Sequence, residues 1–367
     1  MLYHLLFPLH ANYSFFNVFR YITFRTIYAA ITALLISFLL GPWLIRVLRS
    51  RQIGQIIRLD GPESHLSKEG TPTMGGLLIV LATVIPTLLW ANLTSHYIWI
   101  AVFVTLGFGA IGFVDDYKKV IRKDTKGLSP HRKLIAQFAL AAAVAGLIYM
   151  DLGIKDTVII PFLKNVRPSL GFLYIPFIVL VIVGASNAVN LTDGLDGLAS
   201  GSMIMVMLAY LLIAFTMFRH PVSVHPAFYE FTGPAALDIA IISGAVLGAC
   251  TGFLWWNTAP AQIFMGDTGS LALGGVLAAV AVMTRTQFLL LILGGLFVIE
   301  ALSVMIQVGV FKLTGGKRVF RMAPIHHHFE LGGWSEFTVI VRLWIVCGFF
   351  VLVGFAIFYV DFVGRVP

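Results

Sequence analysis

The sequence predicts an all-α polytopic membrane protein of about ten spans, on three observations. Hydrophobic residues make up 59% of its 367 positions. Charged residues make up only 11%, against roughly 25% in a soluble domain. Apolar runs approaching the ~20 residues a helix needs to cross a bilayer recur along the whole chain. Mean hydropathy is +0.92. No soluble domain of ordinary size can be cut from it, so residues 1–367 read as one integral membrane domain.

The elements follow in order. Residues 1–23 open with "MLYHLLFPLHANYSFFNVFR". This stretch has no basic n-region and no small-residue cleavage site, so it reads as an interfacial aromatic lead-in rather than a removable signal. Ten spans are expected near 24–45, 73–91, 97–114, 134–150, 171–189, 198–218, 237–256, 271–284, 288–311 and 338–360. The eighth is short and is accepted because Asp267 and Arg285 bracket it. The loop 151–170, with the β-branched run "DTVIIPFLKN", reads as a short hairpin. Cys250 and Cys347 both lie inside apolar runs and read as plain core residues.

An even number of spans puts both termini on one side. The loops near 46–72, 115–133, 190–197, 257–270 and 312–337 then share the other side. With Arg342 they hold 17 of the 25 Lys and Arg residues. The positive-inside rule places this set in the cytoplasm and both termini outside. The net charge of +8 therefore needs no nucleic acid; it suits anionic membrane lipids or a phosphorylated substrate. The same loops hold 11 of the 17 Asp and Glu residues, a density of both signs that fits a site handling a metal and a polyanion.

Five stretches carry the chemistry. In "GAIGFVDDYKK", Asp115 and Asp116 end the third span, pointing about 100° apart if helical. One is able to bind a cation while the other accepts a proton; the plain alternative is a span end paired with Lys118 and Lys119. In "QIFMGDTGSLALGG", Asp267 precedes the eighth span, as a ligand or as a helix cap. In "NAVNLTDGLDGLASG", Asn190, Asp193 and Asp196 surround a glycine-punctuated turn that suits hydroxyl or amide recognition, or else simple capping. In "RVFRMAPIHHHFELGG", His326, His327 and His328 are consecutive and point apart. That makes a poor zinc site but offers donors to phosphate. In "HLSKEGTPTMGG", Lys68, Thr71 and Thr73 sit among glycines, without the Gly-Lys-Ser/Thr of a Walker loop. Glu300 lies inside the ninth span, with Ser303 and Gln307 following on one face.

Taken together, "KEGTPTMGG" at 68–76, "FVDDYKK" at 113–119, "NAVNLTDGLDGL" at 187–198, "FMGDTGS" at 264–270 and "PIHHHFE" at 324–330 resemble one family. It is the bacterial phospho-N-acetylmuramoyl-pentapeptide transferases, within the polyprenyl-phosphate N-acetylhexosamine-1-phosphate transferase superfamily. The likeness runs from about residue 40 to the end, and the histidine triplet points to the muramoyl-pentapeptide branch.

The resemblance implies a ten-span enzyme of the bacterial inner membrane with a cytoplasmic active site. It implies transfer of phospho-N-acetylmuramoyl-pentapeptide from UDP-N-acetylmuramoyl-pentapeptide to undecaprenyl phosphate. UMP is released, Mg2+ is required, and the product is the first lipid intermediate of peptidoglycan synthesis. By resemblance Asp267 is the main magnesium ligand and Asp116 shares the metal or orients Asp115. Asp115 is the candidate base, although a phosphate monoester is already mostly a dianion at neutral pH because its second pKa is about 6. Lys68, Lys119, Lys133 and His326 are expected on phosphates, and Thr73 among the substrate contacts. Asn190, Asp193, Asp196, Asn257 and Phe264 are expected around the uridine, with Gln307 and His327 on the nucleoside-sugar side. A homodimer is left open. Two rivals stand: a superfamily relative using UDP-N-acetylglucosamine, and a proton-coupled transporter built on Glu300.

Overall fold

A bilayer core offers backbone N–H and C=O groups no partner but each other, so the apolar runs of this sequence fold as helices. The computed structural model describes residues 1–50, 68, 70–121, 127–152, 156–163, 166–219 and 234–363. The α-helices are α1 (Leu2–Leu6), α2 (Ile22–Ser50), α3 (Gly76–Trp90), α4 (His96–Ile121), α5 (Pro130–Asp151), α6 (Tyr174–Thr192), α7 (Leu198–Arg219), α8 (Pro234–Asn257), α9 (Gly266–Met283), α10 (Gln287–Leu293), α11 (Gly295–Leu313), α12 (Ile325–Glu330) and α13 (Glu336–Val363). Among the described residues, nine helices are long and apolar enough to cross a membrane. The 15-residue α3 is a shorter apolar helix at the second expected span. The chain is an all-α, multi-pass membrane protein.

Several expected spans differ in extent: the first runs on to Ser50 and the fourth begins at Pro130, and three further differences bear on the site or the packing. The run 288–311 is two helices, broken at Gly294–Gly295, where a Cβ on Gly295 would lie 2.5 Å from the Phe350 ring. The third span does not stop at 114 but continues to Ile121, so Asp115, Asp116 and Lys119 are helical. The eighth begins at Gly266 rather than 271. The hairpin expected in 151–170 is an isolated antiparallel bridge, Thr157 to Ser169, among the described residues. Much of the expected loops 46–72 and 219–236, and residues 122–126 of the loop 115–133, lie outside the described residues.

The buried centre is α9, enclosed by α3, α4 and α6. The approach is close because glycines face it. A Cβ on Gly76 would meet Gly269 N at 2.0 Å, and one on Gly112 would meet Asp267 O at 2.1 Å. Small residues at such crossings let backbones pack where lipid supplies no hydrophobic drive. A second group, α2, α7 and α8, packs beside it, with α13 against α7, α10 and α11. The first 20 residues fold over one end of α3: the Met1 ammonium donates to Leu88 O at 2.7 Å, and the Arg25 guanidinium covers the Tyr3 ring at 4.4 Å. Tyr13 and Phe15 of this segment are exposed. Cys250 and Cys347 are buried free thiols.

Candidate active site

The C-terminal ends of α4 and α6 meet the N-terminal ends of α5 and α9, and the acidic motifs converge there. Each carboxylate of the Asp115–Asp116 pair turns to a different task, as adjacent helical positions must. Asp116 Oδ1 accepts the Asp267 N–H at 3.0 Å, and Oδ2 accepts the Thr268 N–H at 2.9 Å and the Thr268 hydroxyl at 2.6 Å. Asp116 thus caps α9 from another helix, satisfying donors that a helix start leaves open. The expectation that Asp116 shares a metal meets a carboxylate already holding three donors.

Asp115 faces the other way. Its Oδ1 accepts the Leu128 N–H at 2.7 Å, and its Oδ2 lies 2.6 Å from Lys119 Nζ and 3.7 Å from Lys133 Nζ. Asp267 Oδ2 lies 2.8 Å from both ammonium groups, and its Oδ1 accepts from Asn190 Nδ2 at 2.7 Å. Asn190 Nδ2 also donates to Ser270 Oγ at 2.8 Å. Two lysine ammonium groups therefore stand between two carboxylates from two helices. That pair of hard oxygen donors suits magnesium, which takes one or two carboxylates and fills its shell with water and phosphate oxygens. Among the described residues no group of three or more His, Cys, Asp or Glu side chains is placed to hold a metal ion.

The turn between α6 and α7 closes one side. Gly266, at φ +71°, brings its N–H to the Asp193 carboxylate; a Cβ there would lie 2.7 Å from Asp116 Oδ2 and 3.1 Å from Thr73 Oγ1. Desolvation, then the charges of Asp267, Asp116 and Asp196, push the Asp193 carboxyl well above its usual range. Asp196 Oδ1 pairs with Lys68 Nζ at 2.8 Å, and Lys68 also reaches Glu336 Oε1 at 2.5 Å. Glu336 accepts the Asp196 N–H as well, at 3.2 Å. Glu336 was not picked out from the sequence; its signal was an acid in the first turn of the last span.

The remaining expected residues lie at various removes. Phe264 is half-buried, and its backbone pairs with the 72–75 segment: Phe264 N–H to Pro72 O and Gly75 N–H to Phe264 O, both 2.8 Å. Asn257 is buried and spends its amide inside the protein, on the Gly197 N–H at 3.0 Å and on Ile263 O at 3.0 Å. Gln307 accepts the Val319 and Phe320 N–H groups at 3.0 Å each, pinning the segment before α12. The three histidines part company as expected. His326 is buried against Glu300, His327 Nδ1 lies 2.7 Å from Glu330 Oε2, and His328 accepts the Arg321 N–H at 3.1 Å.

Known proteins resemble this chain along most of its length. The glycosyl transferase family 4 profile matches residues 98–285, from α4 through α9. The phospho-N-acetylmuramoyl-pentapeptide-transferase signature 1 matches residues 68–80. Proteins carrying that transferase name include one from Syntrophus aciditrophicus, 57% identical over 94% of this chain and 96% of its own length. One from Pelobacter propionicus is 57% identical and one from Citrifermentans bemidjiense 54%, each over 94% of this chain and 96% of the relative. Identity at that level along nearly the whole chain, with the matched segments carrying Lys68, Asp115, Asp116, Asn190 and Asp267, places the chain in the phospho-N-acetylmuramoyl-pentapeptide transferase family.

Proposed function

We propose that this chain transfers phospho-N-acetylmuramoyl-pentapeptide from UDP-N-acetylmuramoyl-pentapeptide to undecaprenyl phosphate and releases UMP. A new phosphate–phosphate linkage forms on the lipid phosphate, and the linkage to UMP breaks. The product is the first lipid intermediate of peptidoglycan synthesis. The observation that carries this reading is the convergence of Asp115 and Asp267 on Lys119, at the ends of helices long and apolar enough to cross a membrane.

Both reactants are anions, so the site must neutralise charge and fix geometry, which are the main levers of phosphoryl transfer. Asp267 and Asp115 would hold magnesium in this reading, and the ion would supply positive charge to offset that of the reacting phosphates. Lys119 and Lys133 hold further positive charge within reach of phosphate oxygens. Asp116 keeps the start of α9, and with it Asp267, at a fixed distance from α4. Asn190 orients the Asp267 carboxylate through its amide. The Asp193–Asp196 turn and Phe264 border the nucleotide, with Asn257 bracing that wall from behind. Lys68, tied to Asp196 and Glu336, secures the same side.

The site faces the cytoplasm of the bacterial inner membrane in this reading, supported by the side on which most Lys and Arg fall. The test is UMP release by purified protein given undecaprenyl phosphate and each UDP-sugar separately. Release with the muramoyl-pentapeptide nucleotide, and none with UDP-N-acetylglucosamine, is the expected result. The reverse preference would assign the chain to the other branch of the superfamily.

A further inference from the structure

Glu300 lies in the second turn of α11 and is fully buried, as is His326 of α12. His326 Nδ1 stands 3.0 Å from Glu300 Oε2. The other polar atoms of the pair, Glu300 Oε1 and His326 Nε2, are buried and lack a hydrogen-bond partner among the described residues. A buried carboxylate and imidazole that satisfy only each other carry a desolvation cost, so stability alone does not explain them. Their placement does. A Cβ on Gly194 would lie 2.3 Å from His326 Nε2, so the free nitrogen points at the turn that carries Asp193 and Asp196. The single Nδ1–Oε2 contact orients the ring: with Nδ1 donating to the carboxylate, Nε2 is left as an acceptor aimed at Gly194.

We infer that Glu300 is a positioning residue for His326. It fixes the tautomer and the ring angle, so that the bare Nε2 is presented through the gap at Gly194 as an acceptor for a hydroxyl of the bound nucleotide-sugar. This rests on the function proposed above and adds a residue acting through another, 26 positions apart in sequence. Glu300 belongs in this scheme to a transferase site and not to a proton path.

The test compares Glu300→Gln, Glu300→Asp, His326→Gln and the Glu300→Gln/His326→Gln double variant in the UMP-release assay, with folding checked by thermal unfolding in detergent. Glu300→Gln should lower kcat by roughly 10- to 100-fold, the loss common for a residue that orients a functional histidine. KM for the UDP-substrate should stay within about twofold, because an orienting contact acts on turnover more than on substrate binding. Glu300→Asp should recover part of the loss. The double variant should be no slower than His326→Gln alone, because coupled residues are not additive. Wild-type kcat in Glu300→Gln, or losses that multiply in the double variant, overturns the inference. Nitrogen-15 NMR of labelled histidines, assigned by the His326→Gln spectrum, reads the same point without turnover. A protonated Nδ1 on His326 is expected, and a protonated Nε2 with bare Nδ1 overturns the inference even where Glu300→Gln does not fold. Absence of UMP release by the wild-type protein would count against the proposed function and leave this NMR test standing.

Discussion

Asp267 shows how the site is balanced at the scale of single residues. Two carboxylates, Asp115 and Asp267, face two ammonium groups, Lys119 and Lys133. Partly buried ion pairs contribute little net stability, since desolvation offsets attraction, so this cluster is better explained by chemistry than by folding. Asp193 is the clearest cost. Its carboxyl is held above the usual range by desolvation and by three neighbouring acids. A carboxyl whose folded pKa is raised destabilises the fold above its unfolded pKa of about 3.9, increasingly until the pH passes the raised value. Asp193→Asn keeps an acceptor for the Gly266 N–H and removes the charge. It should raise the unfolding temperature of magnesium-free protein at pH 8, with a gain that shrinks toward pH 4. An unfolding temperature that drops at pH 8 would contradict the electrostatic reading. The tandem acids and Asp267 were legible in the sequence because they recur with three other motifs in one family pattern, whereas each alone read equally as a span end or a helix cap. Glu336 and the Glu300–His326 contact were not, because partners 268 and 26 positions away are set by packing rather than by local pattern.

Among the elements, α9 decides whether the site exists. It is apolar, buried almost throughout, and brought against α3 and α4 by glycines. Its first turn, residues 266–270, was missed as helix because the cap comes from Asp116 on α4 rather than from a neighbour in sequence. The break at Gly294–Gly295 was missed because the apolar pattern runs through it unchanged, and only the Phe350 ring of α13 shows why the glycine is needed. Gly112→Ala places a Cβ against the Asp267 carbonyl, where backbone cannot yield cheaply. Overpacking of this kind costs about 1–3 kcal/mol. Thermal unfolding of the variant should show that loss, and turnover should fall with it because Asp267 shifts away from Asp115. Unchanged stability and turnover would show that the α4–α9 contact has slack.

For the whole molecule, the helical membrane fold was legible from composition and run length, since the bilayer permits few alternatives to a helix. Sidedness rests on charge distribution and is open to direct measurement. Asn12 and Lys317 are both exposed, while the two native cysteines are buried. In intact cells an impermeant thiol reagent should label Asn12→Cys and spare Lys317→Cys, with the second site reacting only after permeabilisation. The opposite pattern would invert the proposed orientation.

The most direct test of the central claim is magnesium titration of UMP release by purified wild type and Asp267→Asn. The claim is that acids brought together from α4 and α9 hold one divalent ion for phosphate transfer. Wild type should depend on the ion, and Asp267→Asn should lose roughly 100-fold or more in turnover, the scale of removing a charge-stabilising group from a preorganised site. Near-normal turnover by Asp267→Asn at the same magnesium concentration would contradict it.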